Sequence, residues 1–230
     1  MRAIVVVPTY NELANLQTLV DRLRQFAPDL HVLIVDDNSP DGTGALADEL
    51  SSKNPQSIFV LHRERKEGLG KAYVDGFREV LKKDYEYVLQ MDADLSHDPS
   101  HLPEMFARIV DHDLVVGSRY LNGISVVNWD LKRLVMSKLA TGYVRFITRI
   151  PFTDATSGFN CWRRKALEAF FANNRVPGTG DPLNGIVIAG NDGQFRKLCQ
   201  VLDLPGLPST RPQATRAPVH LSTLQVPGAS

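Results

Sequence analysis

What most restricts the fold of this chain is the alternation, over its first half, of short unbroken apolar runs with stretches of helical periodicity. AIVVVP (3–8), HVLIVDD (31–37), SIFVLH (57–62), YEYVLQM (85–91) and DLVVGSR (113–119) are runs of the kind that a parallel sheet buries on both faces. Between them, Leu13, Leu16, Val20, Leu23 and Phe26 recur at helical spacing after Asn11-Glu12, and Ala45 to Leu50 starts a second helix. Gly68 to Leu81 carries Tyr73, Phe77, Val80 and Leu81 as an apolar stripe, and His101 to Val110 reads as a fourth helix. Strand–helix alternation with short connections predicts an α/β fold, a mainly parallel sheet flanked by helices. Such sheets bind ligands beyond the carboxyl ends of their strands. Here those ends carry PTYNE, DDNSPDG, DAD and GSR.

At 230 residues the chain fits one domain, or one domain with an appendage. Lys plus Arg and Asp plus Glu number 26 each, so net charge gives no reason to expect nucleic acid. The two cysteines, Cys161 and Cys199, match no metal-ligand spacing. Strand-like sequence begins at Ala3, leaving no room for a secretory leader, and no apolar stretch reaches the roughly 18 residues of a membrane span. The expectation is a soluble, cytoplasmic chain that can still sit on a membrane surface. Trp129 to Ile150 reads as a long helix with Leu131, Leu134, Val135, Leu139, Tyr143, Phe146 and Ile147 apolar, and with Lys132, Arg133, Lys138, Arg145 and Arg149 elsewhere. That pattern suits an anionic membrane surface and equally a core helix with a solvated basic face. From about Phe171 the texture turns rich in Gly, Pro and Asn, and 205–230 is rich in Pro, Ser and Thr; only Gly185 to Ile188 and Phe195 to Leu202 look like elements.

Asp92-Ala93-Asp94 ends the fourth strand with two carboxylates one residue apart. They repel, and burying either is costly without a partner. A divalent cation resolves the conflict, because hard cations take carboxylate oxygens and share their other positions with substrate phosphates; the plain alternative is a solvated acidic loop. Asp36-Asp37 ends the second strand, where an acid commonly accepts hydrogen bonds from a nucleotide's ribose or base. Capping of the NSPDGT turn is the simpler reading for Asp41 and for Asp36. Gly68-Leu69-Gly70-Lys71 fails the phosphate-loop pattern, with Arg65 and Ala72 at its ends, and reads as a flexible helix start. His62, His97 and His101 have neither metal spacing nor triad context and suit surface or core packing.

VVVPTYNE (5–12), VDDNSPDGT (35–43), MDADLSHDP (91–99), GSRY (117–120) and TSGFNCWRR (156–164), in that order, resemble the polyprenol-phosphate (dolichol-phosphate) mannosyltransferases of glycosyltransferase family 2. The similarity covers about residues 1–170. It implies a GT-A (Rossmann-like) fold, a GDP-mannose donor, Mg²⁺ or Mn²⁺, and a polyprenyl or dolichyl phosphate acceptor. By position, Pro8, Tyr10, Glu12, Val35 and Asp37 would line the nucleoside pocket, and Asp92, Ala93 and Asp94 would form the metal and diphosphate site. Arg119, with Arg133 and Ser137, would receive the acceptor's phosphate; Asp92, Asp94 and Arg119 would be catalytic. The implied reaction is inverting mannosyl transfer without an obligatory base, on the cytoplasmic face of a membrane bound peripherally, with room for a separate membrane-anchoring partner. A related transferase using UDP-glucose, or a binding remnant without turnover, are the alternatives.

Two departures bear on activity. Family members continue after TSGF with a G-Y-x-F-Q-I-E-M-like helix and a basic stretch that this chain lacks, and Asn160 stands at a position usually basic. RVPGTGDPLNGIVIAGNDGQFRKLCQVLDLP (175–205) instead resembles an internal piece of a family III (CaiB/BaiF-type) CoA-transferase, too short to bury a core of its own. The expected organisation is a truncated GT-A domain over 1–171 and an irregular, loosely ordered appendage over 172–230.

Overall fold

The computed structural model describes residues 1–118, 157–173 and 221–225. Within them lie the strands β1 (Ala3–Thr9), β2 (His31–Asp36), β3 (Ile58–His62), β4 (Tyr87–Gln90), β5 (Leu114–Ser118), β6 (Asn160–Arg163) and β7 (Leu221–Gln225). The helices are α1 (Leu13–Phe26), α2 (Thr43–Lys53), α3 (Leu69–Leu81), α4 (Leu102–Ile109) and α5 (Arg164–Asn173). The strands form one sheet in the order β3-β2-β1-β4-β6-β5-β7. The first four in that order run parallel, β6 is antiparallel to β4 and β5, and β7 is parallel to β5.

Because side chains alternate across a strand, β1 feeds two cores at once. Ala3, Val5 and Val7 join α1, α2 and α4 on one face through Leu16, Leu19, Leu23, Ala47, Leu50, Leu102 and Met105. Ile4 and Val6 join α3 and α5 on the other through Tyr73, Phe77, Val80, Leu167 and Phe170. Burial on both faces explains why β1 reads as an unbroken apolar run. The chain steps outward from β1 to β2 to β3, then crosses back to place β4 on the other side of β1. That reversal opens a crevice beyond the carboxyl ends of β1 and β4.

The five expected strands and first four helices are all present, with shifts at their ends; the fourth helix is preceded by a short 3-10 turn, Pro99–His101. β6, α5 and β7 have no counterpart in the sequence expectations. β6 is only four residues, NCWR, and owes its strand state to neighbours distant in sequence, with Leu89 and Val115 both opposite Cys161. The arginine that ends β6 and the one that opens α5 serve the fold. Arg163 donates to the carbonyls of Ile109, Val110 and His112 at the end of α4. Arg164 donates to those of Leu81, Lys83 and Tyr85 at the end of α3. Each guanidinium thus satisfies carbonyls that a helix terminus leaves without internal partners. The expected helix at 129–150, the elements at 185–188 and 195–202, and Arg119, Arg133 and Ser137 lie outside the described residues. No helix among the described residues is long and apolar enough to cross a membrane.

Candidate active site

The carboxyl ends of β3, β2, β1 and β4 lie in that order along one rim. Three residues just beyond or near these ends have left-handed backbones: Asn11 (φ 60°), Asn38 (φ 57°) and Leu95 (φ 59°). Such conformations are uncommon for residues other than glycine, and leucine has no local side-chain hydrogen bond to offset the cost. Their repetition along one rim marks it as specialised.

Asp36 ends β2 fully buried, accepting from Thr9 Oγ1 at 3.0 Å, Ser39 N at 3.0 Å and Ser39 Oγ at 2.6 Å. Asp41 accepts from Thr43 Oγ1 at 2.6 Å, Thr43 N at 3.0 Å and Leu13 N at 3.2 Å. The hydrogen bond from the Thr43 side chain leads the interactions that hold the Asp41 carboxyl below its ordinary range. Both acids therefore build the NSPDGT turn, Asp41 from within it and Asp36 from the strand end before it. Glu12 is drawn into the same framework: its N–H donates to Thr43 Oγ1 at 3.0 Å, and its Oε2 accepts from Asn15 at 2.8 Å.

Asp37 is held differently. Its carboxylate pairs with Arg63, with side-chain exposures of 5% and 7% respectively. The register sets this up, since Asp36 and His62 are the last partners of β2 and β3 and the next residues leave the sheet side by side. Arg63 also reaches Asp75 of α3 at 2.9 Å and Glu67 at 3.2 Å. One buried guanidinium thus joins the end of β2, the segment before α3, and α3 itself. That segment further covers the rim through Lys66, whose Nζ lies 3.7 Å from the centre of the Tyr10 ring, and through Glu64 O, which accepts from Asn38 Nδ2 at 3.1 Å. Arg63 was not among the residues singled out from the sequence; the available signal was an arginine directly after one strand, beside two aspartates at the end of another.

Pro8 and Val35 are register partners in the sheet floor. The Val35 side chain is fully buried against α3, where a Cβ on Gly76 would fall 3.0 Å from Val35 Cγ2. These two shape the floor beneath Tyr10 and Asp37, whereas Tyr10, half-buried, stands at the rim.

Beyond β4 the two aspartates differ. Asp94 is exposed, and its Oδ1 accepts from Ser96 N at 3.0 Å within its own loop. Asp92 is half-buried, and its Oδ1 accepts from the hydroxyl of Tyr73 at 2.8 Å. Burial, then the charge of Asp92, pushes the Tyr73 phenol well above its ordinary pKa, so it stays a donor. Ala93 between them is buried. Met91 N donates to Val6 O at 3.2 Å, so β4 leaves the sheet beside β1, and Asp92 and Asp94 follow a strand end on the same rim as those that precede Tyr10, Glu12 and Asp37. Among the described residues no group of three or more His, Cys, Asp or Glu is gathered to hold a metal alone. The paired carboxylates fit a hard divalent cation that completes its shell from ligand and water oxygens.

The loop entering β6 closes the crevice behind Asp92. A Cβ on Gly158 would fall 2.2 Å from Asp92 Oδ2, so any larger residue there would push the Asp92 carboxylate aside. Deeper in, the register partners Gln90 and Asn160 are both buried. Gln90 Oε1 accepts from Trp162 Nε1 at 3.2 Å, and Asn160 Nδ2 donates to Ser157 O at 2.9 Å. His97 stacks on Phe159 with centroids 5.5 Å apart, and His62 pairs with Asp48 on the surface at 2.8 Å. Neither histidine has a catalytic arrangement.

Residues 4–171 match the family described as Glycosyl transferase family 2. The chain is 46% identical over 168 residues to a polyprenol monophosphomannose synthase of Mycolicibacterium smegmatis, covering 73% of this chain and 63% of that protein. It is 43% identical to an undecaprenyl-phosphate mannosyltransferase of Micrococcus luteus, covering 74% and 69%. It is 35% identical to a dolichol-phosphate mannosyltransferase of Pyrococcus furiosus, covering 75% and 49%. The chain therefore spans about half to two thirds of the length of these relatives. Among solved structures, a mannosyltransferase from Pyrobaculum calidifontis in complex with GDP-Man and Mn²⁺ superposes with a TM-score of 0.58 at 16% identity, over 98% of this chain and 56% of that one. A glucosyl-3-phosphoglycerate synthase from Mycobacterium tuberculosis, with Mn²⁺, UDP and its product, gives 0.61 at 16% identity, over 98% and 70%. The shared architecture is the GT-A fold.

Proposed function

The chain belongs to glycosyl transferase family 2, and from that premise we propose that it transfers mannose from GDP-mannose to a polyprenyl monophosphate, with inversion at the anomeric carbon. The observation that carries this reading is the naming of three relatives, at 35–46% identity over the segment that holds the crevice, for mannosyl chemistry on polyprenyl, undecaprenyl or dolichyl phosphate.

The chain's own residues divide the work. Tyr10 offers a ring face to the guanine, and Asp37, steadied by Arg63, accepts from base or ribose; Pro8 and Val35 form the floor, and Glu12 holds the loop. Asp92 and Asp94 would hold Mg²⁺ or Mn²⁺, with Ala93 filling the buried position between them. The cation, when bound, supplies the charge that neutralises the departing diphosphate. Arg119, Arg133 and Ser137 receive the acceptor phosphate; forked guanidinium donors suit that group. A lipid monophosphate is already anionic near neutral pH, with a second pKa of about 6, so it needs positioning more than deprotonation. The basic amphipathic stretch at 129–150 serves peripheral attachment at the cytoplasmic face of a membrane, where a separate anchoring partner can add to it.

Incubation with labelled GDP-mannose, polyprenyl phosphate and Mg²⁺ tests the reading: an acid-labile glycolipid is expected, and Asp94→Asn should abolish it. Unchanged turnover in that variant removes the metal role. Competition by unlabelled UDP-glucose in place of GDP-mannose would reassign the donor. A second reading, nucleotide-sugar binding without turnover, draws on the family match stopping at residue 171 while the chain runs to 230. Saturable GDP–Mn²⁺ binding with no product on any polyprenyl phosphate would favour it.

A further inference from the structure

We propose that Tyr73 is a positioning residue for Asp92, fixing the direction in which that carboxylate meets the divalent cation and donor diphosphate. The inference rests on the functional reading above and deepens it. Tyr73 is fully buried on α3, so its hydroxyl must find an acceptor inside the protein. That acceptor is Asp92 Oδ1, at 2.8 Å. An ionised carboxylate has no proton to give, so the phenol donates.

Two further contacts give the bond its direction. The Tyr73 ring stacks on Phe77 with centroids 5.9 Å apart. α3 itself lies so close to the sheet that a Cβ on Gly76 would sit 2.5 Å from Val6 Cγ1. On its Oδ2 side the same carboxylate abuts Gly158, where an added methyl group would lie 2.2 Å from Oδ2 and shift it. Three parts of the fold, α3, the end of β4 and the approach to β6, therefore meet at one side chain. Asp94, exposed at the loop surface, is held among the described residues by its own loop, through Ser96 N. Among the described residues the pair is asymmetric: Asp92 is held by α3 and by the approach to β6, Asp94 by its own loop. Groups that orient a metal ligand in this way typically contribute about 10–100-fold to metal affinity.

The test compares the full chain with Tyr73→Phe, which keeps the ring and removes only the donor. Free Mn²⁺ is followed by electron paramagnetic resonance during titration at saturating GDP, and GDP binding is measured separately without metal. The expected result is a Mn²⁺ Kd raised by about ten-fold or more, with metal-free GDP affinity unchanged. A purely structural tyrosine would move both or neither. If Tyr73→Phe does not fold, Gly158→Ala displaces the carboxylate from its Oδ2 side with Tyr73 intact and should show the same selective loss. Wild-type Mn²⁺ affinity in either folded variant overturns the inference alone. A wild-type chain that binds neither GDP nor Mn²⁺ overturns the functional reading and this inference with it.

Discussion

Replacing Gly76 by alanine sets two effects of known sign against each other. In a helix interior, alanine is favoured over glycine by about 0.8–1.0 kcal/mol, so a helix-propensity argument predicts stabilisation. The added Cβ, however, would lie 2.5 Å from Val6 Cγ1 and 3.0 Å from Val35 Cγ2. Both valines are fully buried in adjacent central strands, and a β-branched side chain there has little rotamer freedom to yield. Overpacking of this kind costs about 1–3 kcal/mol, and a 2.5 Å contact with one rigid neighbour beside a 3.0 Å contact with another belongs at the upper end. The net expectation is destabilisation by about 1–2 kcal/mol, a fall in Tm of about 2–8 °C for a chain of this size. Gly70, in the first turn of the same helix, is the control: a Cβ there meets nothing within 4 Å, so Gly70→Ala should raise Tm by about 1–4 °C. Scanning calorimetry on the two variants decides it. A Gly76→Ala protein as stable as Gly70→Ala would refute the claim that close approach of α3 to the sheet holds Tyr73 against Asp92.

Three other outcomes can be checked. Arg63→Met strands the buried Asp37 carboxylate, a loss of about 3–5 kcal/mol; the urea midpoint should fall accordingly, whereas an unchanged midpoint would refute Arg63 as the partner that keeps Asp37 stable there. Burial, followed by the charges of Arg2 and Lys83, holds His31 below its ordinary 6.5. The unfolded chain then binds a proton that the folded chain refuses, so stability is full above that value and is lost as pH falls through the lower, folded one. His31→Gln should flatten the Tm-versus-pH curve on the acid side of 6.5, and an identical slope would exclude His31 as its source. A version ending at residue 172 keeps the family segment and should keep GDP–Mn²⁺ binding, but it bares the edge of β5 that β7 covers. Exposed edges invite association, so light scattering should show concentration-dependent oligomers absent from the full chain.

The sequence alone determined the parallel core and its polar rim, because a strand buried on both faces must be apolar throughout and any chemistry is then pushed to its end. β1 to β5 and the placing of Tyr10, Asp37, Asp92 and Asp94 beyond the strand ends of one rim follow from that local rule, and the turn-building roles of Asp36 and Asp41 follow from side chains that bond nearby backbone. What only the tertiary structure decided depends on partners far away in the chain. NCWR becomes β6 because β4 and β5 flank it, and Arg163 and Arg164 serve helix ends that no local pattern reveals. Tyr73 looks like one more apolar stripe residue until α3 is laid on the sheet, and Gly158 like one more loop glycine until Asp92 is found against it. Periodicity records which face of an element is buried; it carries no record of which atom waits on the other side, and at this crevice that atom sets the difference between two aspartates that read alike.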